Sequence, residues 1–228
     1  MKKGLSKFIF VVDRSGSMES VASDIIGGFN QFIKNQKENK IGECRVSFYQ
    51  FDDVFEEVYK NVLIEDVKDL TKETFVPRNC TALYDAVGKT VDDVGKELSD
   101  LPENERPEKV WIVILTDGLE NASVNYNQQK VREMIKHQQE KYNWLFTYIG
   151  ANQDSWEVGV SIGVPGANTY NYVSTGANTG TSNKEMWDTL SKKASYCRSV
   201  DSSVTAAAVV SFTDEENEIQ RSLIMNNK

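Results

Sequence analysis

Two short runs, Phe8-Ile9-Phe10-Val11-Val12 and Val110-Trp111-Ile112-Val113-Ile114-Leu115, are apolar at every position, and each leads into an aspartate, Asp13 or Asp117. A strand with one wet face alternates apolar and polar side chains. One that is apolar throughout must be covered on both faces, as the strands of a parallel sheet are. A third run, Trp144-Leu145-Phe146-Thr147-Tyr148-Ile149, ends at Gly150 and reads the same way. Between these runs Val21, Ile25, Phe29, Phe32 and Ile33 fall on one helical face, and Leu83, Val87, Val91, Val94 and Leu98 fall on another. Strand and helix in alternation predict an α/β sandwich.

One unit departs from the alternation. Residues 45–51 and 55–64 flank Asp52-Asp53 with no room for a crossover helix, which predicts a hairpin and one antiparallel edge strand. Asp52, Asp53, Glu56 and Glu57 read as its solvated turn. A helix opened by Ser20 contains Gly27-Gly28, at a cost of about 1 kcal/mol each against alanine, and close packing on the sheet would explain them. Later come a helical stretch at 154–162 and a short strand at 169–173. A polar loop with Gly176, Gly180, Ser182 and Asn183 then precedes a helix carrying Met186, Trp187, Leu190, Ala194 and Cys197. After Ser199 the chain is polar except for 204–212, so residues 1–199 are expected to form one domain and 200–228 an extension, ordered where that apolar segment docks.

A chain of 228 residues with 39% hydrophobic residues can bury a core without disulfides. Its net charge of −8 argues against nucleic acid and anionic membranes as partners, since both call for a basic face. No run is long enough to span a bilayer, and the apolar stretch after Lys2-Lys3 is too short for a signal peptide. Cys44, Cys80 and Cys197 are odd in number and lack a CxxC pattern, which points to a reducing cytoplasm and away from zinc. The single histidine, His137, sits in a polar helical stretch and reads as a surface residue.

Ligands of a parallel α/β sheet gather outside the carboxyl ends of its strands, where Asp13 and Asp117 both lie. The segment after the first strand, Asp13-Arg14-Ser15-Gly16-Ser17-Met18, puts three oxygen-bearing side chains at alternate positions of an extended loop. Two carboxylates held close in a semi-buried cleft repel unless one takes a proton or a cation neutralises them. Hydroxyls and carboxylates suit a hard divalent cation, Mg²⁺ or Mn²⁺, and Ca²⁺ is also compatible with an all-oxygen set. An EF-hand is excluded, because Ser15 and Ser17 stand where that loop needs Asp or Asn.

Asp-x-Ser-x-Ser after the first strand resembles the metal-ion-dependent adhesion site of the von Willebrand factor A domain family. Thr81-Ala82-Leu83-Tyr84-Asp85-Ala86 resembles that family's threonine segment, and Thr116-Asp117-Gly118 its last aspartate. The resemblance spans about 7–199 and is to bacterial and phage members, some of which have a segment like Gly150-Ala151-Asn152-Gln153-Asp154. It implies a Rossmann-like three-layer αβα sandwich with a mostly parallel central sheet and one antiparallel edge strand. It also implies that Ser15, Ser17 and Thr81 ligate the metal, with Asp13 and Asp117 holding coordinated waters. A cation bound mainly by neutral hydroxyls keeps much of its charge, so the implied partner is a protein presenting an Asp or Glu carboxylate. In the usual bacterial pattern glycines precede the threonine; here Asn79-Cys80 do, and Cys80 is expected to be a packed small residue. Asp85 is expected to support its helix start or face solvent, while Glu120, Asn121, Ser123, Asn152, Gln153 and Trp156 are open between rimming the binding face and capping or core roles.

Other functions compete. A metal-dependent hydrolase or phosphatase could use Asp13 and Asp117, but Ser15 replaces the second aspartate that enzymes of the haloacid-dehalogenase type use as acid/base. No phosphate-cradling Gly-x-x-x-x-Gly-Lys-Ser/Thr loop is present, and His137 has no Gly-x-Ser-x-Gly elbow to serve. A scaffold with an idle metal site is the third class. The expectation is a protein-binding module without catalysis of its own.

Overall fold

The structure, a computed structural model, describes residues 1–151, 155–172, 179–201, 204 and 209–218. Six strands, β1 (Lys2–Asp13), β2 (Glu43–Phe51), β3 (Phe55–Leu63), β4 (Pro107–Thr116), β5 (Leu145–Ala151) and β6 (Thr169–Tyr172), form one sheet in the order β3-β2-β1-β4-β5-β6. All neighbours are parallel except β2 and β3, the expected hairpin. Flanking the sheet are the α-helices α1 (Ala22–Glu38), α2 (Leu83–Ser99), α3 (Gln128–Tyr142), α4 (Ser155–Ser161) and α5 (Thr179–Ser199).

The pleat explains why the runs are apolar at every position. Phe8, Phe10 and Val12 of β1 enter a core with α1 and α5, while Ile9 and Val11 enter a second core with α2 and α3. In β4, Trp111, Val113 and Leu115 join the first core and Ile112 and Ile114 the second. Helices therefore cover both faces, and the three-layer αβα sandwich stands. Chain order runs from β1 to β2 on one side and skips to β4 on the other, so the turns after β1 and β4 diverge at a topological switch point. Asp13 pairs with Phe51 across one side of β1, and Val12 with Leu115 across the other, which brings the residues after β1 and β4 to one edge of the sheet.

Local expectations differ at three places. Residues Gly16–Val21 form a 3₁₀ helix and α1 begins only at Ala22, so the segment after Asp13 is coiled and not extended. Gly28 packs not on the sheet but against α5: a Cβ there would lie 1.9 Å from Trp187 Cδ1, whereas Gly27 faces open space. Gly180, Ser182 and Asn183 lie inside α5, not in a loop before it. Asn183 is buried there, and its Nδ2 donates to Asp24 Oδ2 at 3.0 Å.

Beyond α5, Val209, Val210 and Phe212 are buried in the core shared by α1 and α5. Phe212 donates its N–H to the Ala167 carbonyl at 2.8 Å, and Lys193 Nζ reaches the Ser211 carbonyl at 2.8 Å. Residues 152–154, 173–178, 202–203, 205–208 and 219–228 lie outside the described residues, and with them Asn152, Gln153, Asp154, Gly176 and the middle of the apolar segment 204–212. Among the described residues no helix is long and apolar enough to cross a membrane.

Candidate metal centre

Asp13 ends β1 and is fully buried, with both carboxylate oxygens engaged. Oδ1 accepts from the Ser15 N–H at 2.6 Å, and Oδ2 accepts from Thr116 Oγ1 at 2.6 Å. The first contact curls the chain back over the strand end and turns the Ser15 side chain inward. Ser15 Oγ and Ser17 Oγ lie 3.1 Å apart, and Ser17 Oγ donates to Asp117 Oδ1 at 2.5 Å. Ser17 is exposed while Asp13, Ser15, Thr81 and Asp117 are buried, so the cluster opens to solvent on the Ser17 side.

Gly118 shows where the oxygens converge. A Cβ built on it would meet Thr81 Oγ1 at 2.6 Å, Asp13 Oδ2 at 3.3 Å and Ser15 Oγ at 3.4 Å. Side chains from three separate positions thus face one small space that exists because residue 118 has no side chain. The structure brings together all five residues singled out in the sequence, through bonds or through this shared space.

Burial pushes the Asp13 carboxyl up to about 6, against the bonds from Thr116 and Ser15, and the nearby Asp117 carboxyl adds to the rise. Burial likewise raises Asp117, opposed by the Ser17 hydroxyl. Two desolvated carboxylates beside three hydroxyls form a donor set that a hard divalent cation would relieve. Among the described residues no group of three or more His, Cys, Asp or Glu that could hold a metal ion is found, so a cation here would need oxygens beyond carboxylates.

Thr81 is placed by neighbours that the sequence left open. Asn121 and Thr81 exchange two bonds, Thr81 N–H to Asn121 Oδ1 at 2.9 Å and Asn121 N–H to the Thr81 carbonyl at 3.0 Å. Ala82, the N-cap of α2, offers no side-chain acceptor. Glu120 accepts from Tyr84 N–H at 3.0 Å and Ser123 Oγ from Asp85 N–H at 3.0 Å, so the loop after β4 supplies the missing caps. On its other side the Thr81 segment is stitched to the Asp13 segment: Arg78 N–H donates to the Arg14 carbonyl at 2.7 Å and Gly16 N–H to the Asn79 carbonyl at 3.2 Å. Asn79 has φ 59°, a left-handed conformation that glycine adopts most readily. Cys80 is exposed, which corrects the expectation of a packed residue.

Two further expectations change. Asp52 is fully buried instead of solvated: its Oδ2 lies 2.6 Å from Arg78 Nε and 3.3 Å from Arg14 Nε, and its Oδ1 accepts from Val54 N–H at 2.6 Å. Asp53, Glu56 and Glu57 are exposed, and Glu56 pairs with Arg14 at 2.6 Å. Asp85 turns its carboxylate away from its own helix and anchors the loop after β4, accepting from the N–H groups of Val124 at 3.1 Å, Asn125 at 2.9 Å and Tyr126 at 2.7 Å. Trp156 is 58% exposed and so does not fill the core. His137 is exposed on α3 and stacks edge-on with Tyr142, at the far end of that helix.

Burial works against ionisation of Asp85, but the three backbone donors and Asn125 outweigh it and hold its carboxyl below the usual range. A lowered acid contributes its full stabilisation above the ordinary aspartate range and loses it as pH falls through the lowered value. Amide exchange at Val124, Asn125 and Tyr126 is therefore expected to stay protected at neutral pH and to lose protection below about pH 4. Asp85→Ala should remove the protection at neutral pH. Protection that persists unchanged to pH 2 (an extreme chosen to lie about two units below the ordinary value) would contradict this role.

No protein-family model and no curated protein matches the sequence. Solved structures do match its fold. Proximal thread matrix protein 1 from the mussel byssus shares 15% identity at a TM-score of 0.59, over 85% of this chain and 46% of its own. The von Willebrand factor type A protein from Catenulispora acidiphila shares 12% at 0.56, over 86% and 43%. The ArnB paralog VWA2 from Sulfolobus acidocaldarius shares 17% at 0.51, over 84% and 45%. This chain spans less than half the length of each. At identities this low the likeness is one of architecture, and the chain has the fold of von Willebrand factor type A domains.

Proposed function

We propose that this chain is a member of the von Willebrand factor A domain family and acts as a metal-dependent protein-binding module, without catalysis of its own. Asp13, Ser15, Ser17, Thr81 and Asp117 would hold Mg²⁺ or Mn²⁺, the three hydroxyls as direct ligands and the two aspartates through coordinated water. The observation that carries this reading is the convergence of Thr81, Asp13 and Ser15 oxygens on the space beside Gly118. When bound, the cation supplies a Lewis-acidic position that a carboxylate from a partner protein can fill. The chain's residues prepare that position: Thr116 fixes Asp13, Asn121 fixes Thr81, and Asp117 orients the Ser17 hydroxyl.

Ser15 stands two residues after Asp13, where phosphoryl-transfer enzymes of the haloacid-dehalogenase type carry their acid/base aspartate. That favours binding over the hydrolase reading. The three free thiols support action in a reducing compartment, the cytoplasm.

Capture from native lysate tests the proposal. A partner retained with Mn²⁺, and lost both with chelator and with Asp117→Ala, is the expected result. Phosphatase turnover abolished by Asp13→Asn, with no metal-dependent partner, would replace this reading with the hydrolase one.

A further inference from the structure

The loop after β4, which carries Gly118, holds two large apolar side chains in water. Leu119 is 65% exposed and Val124 86% exposed, both on the loop after β4, with Leu119 adjoining Gly118. Val54 in the β2–β3 turn and Val76 shortly before Arg78 are also exposed, on segments joined to the site through the Ala82 N–H to Asp52 carbonyl and Arg78 N–H to Arg14 carbonyl bonds. Lone surface hydrophobics are ordinary, but a set around one polar centre marks an interaction surface.

These side chains are not exposed through slackness. Glu120 ties the loop after β4 through Ala122 N–H, Ser123 N–H and Tyr84 N–H, and Asp85 ties it through Val124, Asn125 and Tyr126. Leu119 and Val124 are thus presented on a hydrogen-bonded scaffold, which lowers the ordering cost of binding. A polar centre within an apolar rim is the layout in which a few buried anchors supply most of the affinity.

We infer that the partner presents a single Asp or Glu flanked by apolar side chains, the acid at the metal centre and the flanks on Leu119 and Val124. The net charge of −8 supports one acid over several, because further carboxylates would meet a surface of like charge. This inference rests on the metal-binding reading above and specifies the partner of that same site.

Three synthetic peptides test it, each titrated against the full chain in Mn²⁺ by NMR: a central Asp flanked by Leu and Val, the same Asp flanked by Ser, and the apolar peptide with Asn at its centre. The apolar Asp peptide is expected to bind on the order of tenfold more tightly than the Ser-flanked one, the gain from burying about one large side chain. Asn should lose the metal dependence. Leu119→Ser combined with Val124→Ser should erase the preference while leaving the Mn²⁺-induced rise in Tm unchanged. Equal binding of the two Asp peptides, a preference that survives the double substitution, or no peptide binding despite a rise in Tm overturns the inference and leaves the metal reading standing. No rise in Tm with Mn²⁺ overturns both.

Discussion

Gly118→Ala is expected to weaken divalent-metal binding on the order of 100-fold, the upper range for disturbing the groups around a metal, while the chain folds as before. The added methyl would lie 2.6 Å from Thr81 Oγ1 and 3.3 Å from Asp13 Oδ2, inside the space where the oxygens converge. Thr81 has little freedom to retreat, since Asn121 holds its backbone from both the N–H and the carbonyl. Gly118 is not among the residues with positive φ, so alanine meets no backbone strain there. Calorimetric titration with Mn²⁺ reads the affinity, and melting in chelator reads the fold. Tm in chelator should fall by roughly 2–12 °C with the melt still cooperative, the cost of about 1–3 kcal/mol for a methyl forced against fixed side chains. Wild-type affinity in this variant would mean that the metal sits elsewhere.

Asp52→Ala should be among the most destabilising single changes near the site. It leaves the Arg14 guanidinium, whose side chain is only 4% exposed, with Glu56 as its remaining charged partner. Breaking a buried ion pair from one side costs about 3–5 kcal/mol, because the surviving charge remains desolvated. For a chain of this size that is a fall in Tm of roughly 6–20 °C. Adding Arg14→Met should recover much of the loss by removing the stranded charge, and the exposed neighbour Asp53→Ala should shift stability by about 0.5 kcal/mol or less. Equal effects at Asp52 and Asp53 in thermal or urea melts would show that the buried network contributes little.

Asp52 and Asp53 also show where sequence stops being informative. They are identical and adjacent, and nothing local says which one turns inward. The choice is made by Arg14 and Arg78, which arrive from other segments. The same holds for Gly28, whose reason is the Trp187 ring on α5, and for Asp85, whose partners lie on the loop after β4. The strands were legible because β1 and β4 are covered on both faces and so carry apolar residues at every step. Ser20 misled because a hydroxyl before an apolar periodic stretch looks like a helix cap, whereas Gly16–Val21 winds as 3₁₀ and α1 starts at Ala22.

The residues of the candidate site were legible for a different reason. Asp13, Ser15, Ser17, Thr81 and Asp117 could be named from motif resemblance, but their convergence depends on residues with no such signature. Thr116 and Gly118 flank Asp117 within a recognisable triplet and could have been found there. Glu120, Asn121 and Ser123 could not, since hydrogen bonding to the start of α2 becomes visible only when α2 and the loop after β4 are placed side by side.

The central claim is that these hydroxyls and carboxylates form a site for one divalent cation. Titration of the metal-stripped chain with Mn²⁺, with free ion read by electron paramagnetic resonance, tests it most directly. The account predicts saturation at about one Mn²⁺ per chain, displacement by Mg²⁺, and loss of this site in Asp117→Ala. Wild-type chain that leaves all Mn²⁺ free, or an Asp117→Ala variant that binds as wild type does, would contradict it.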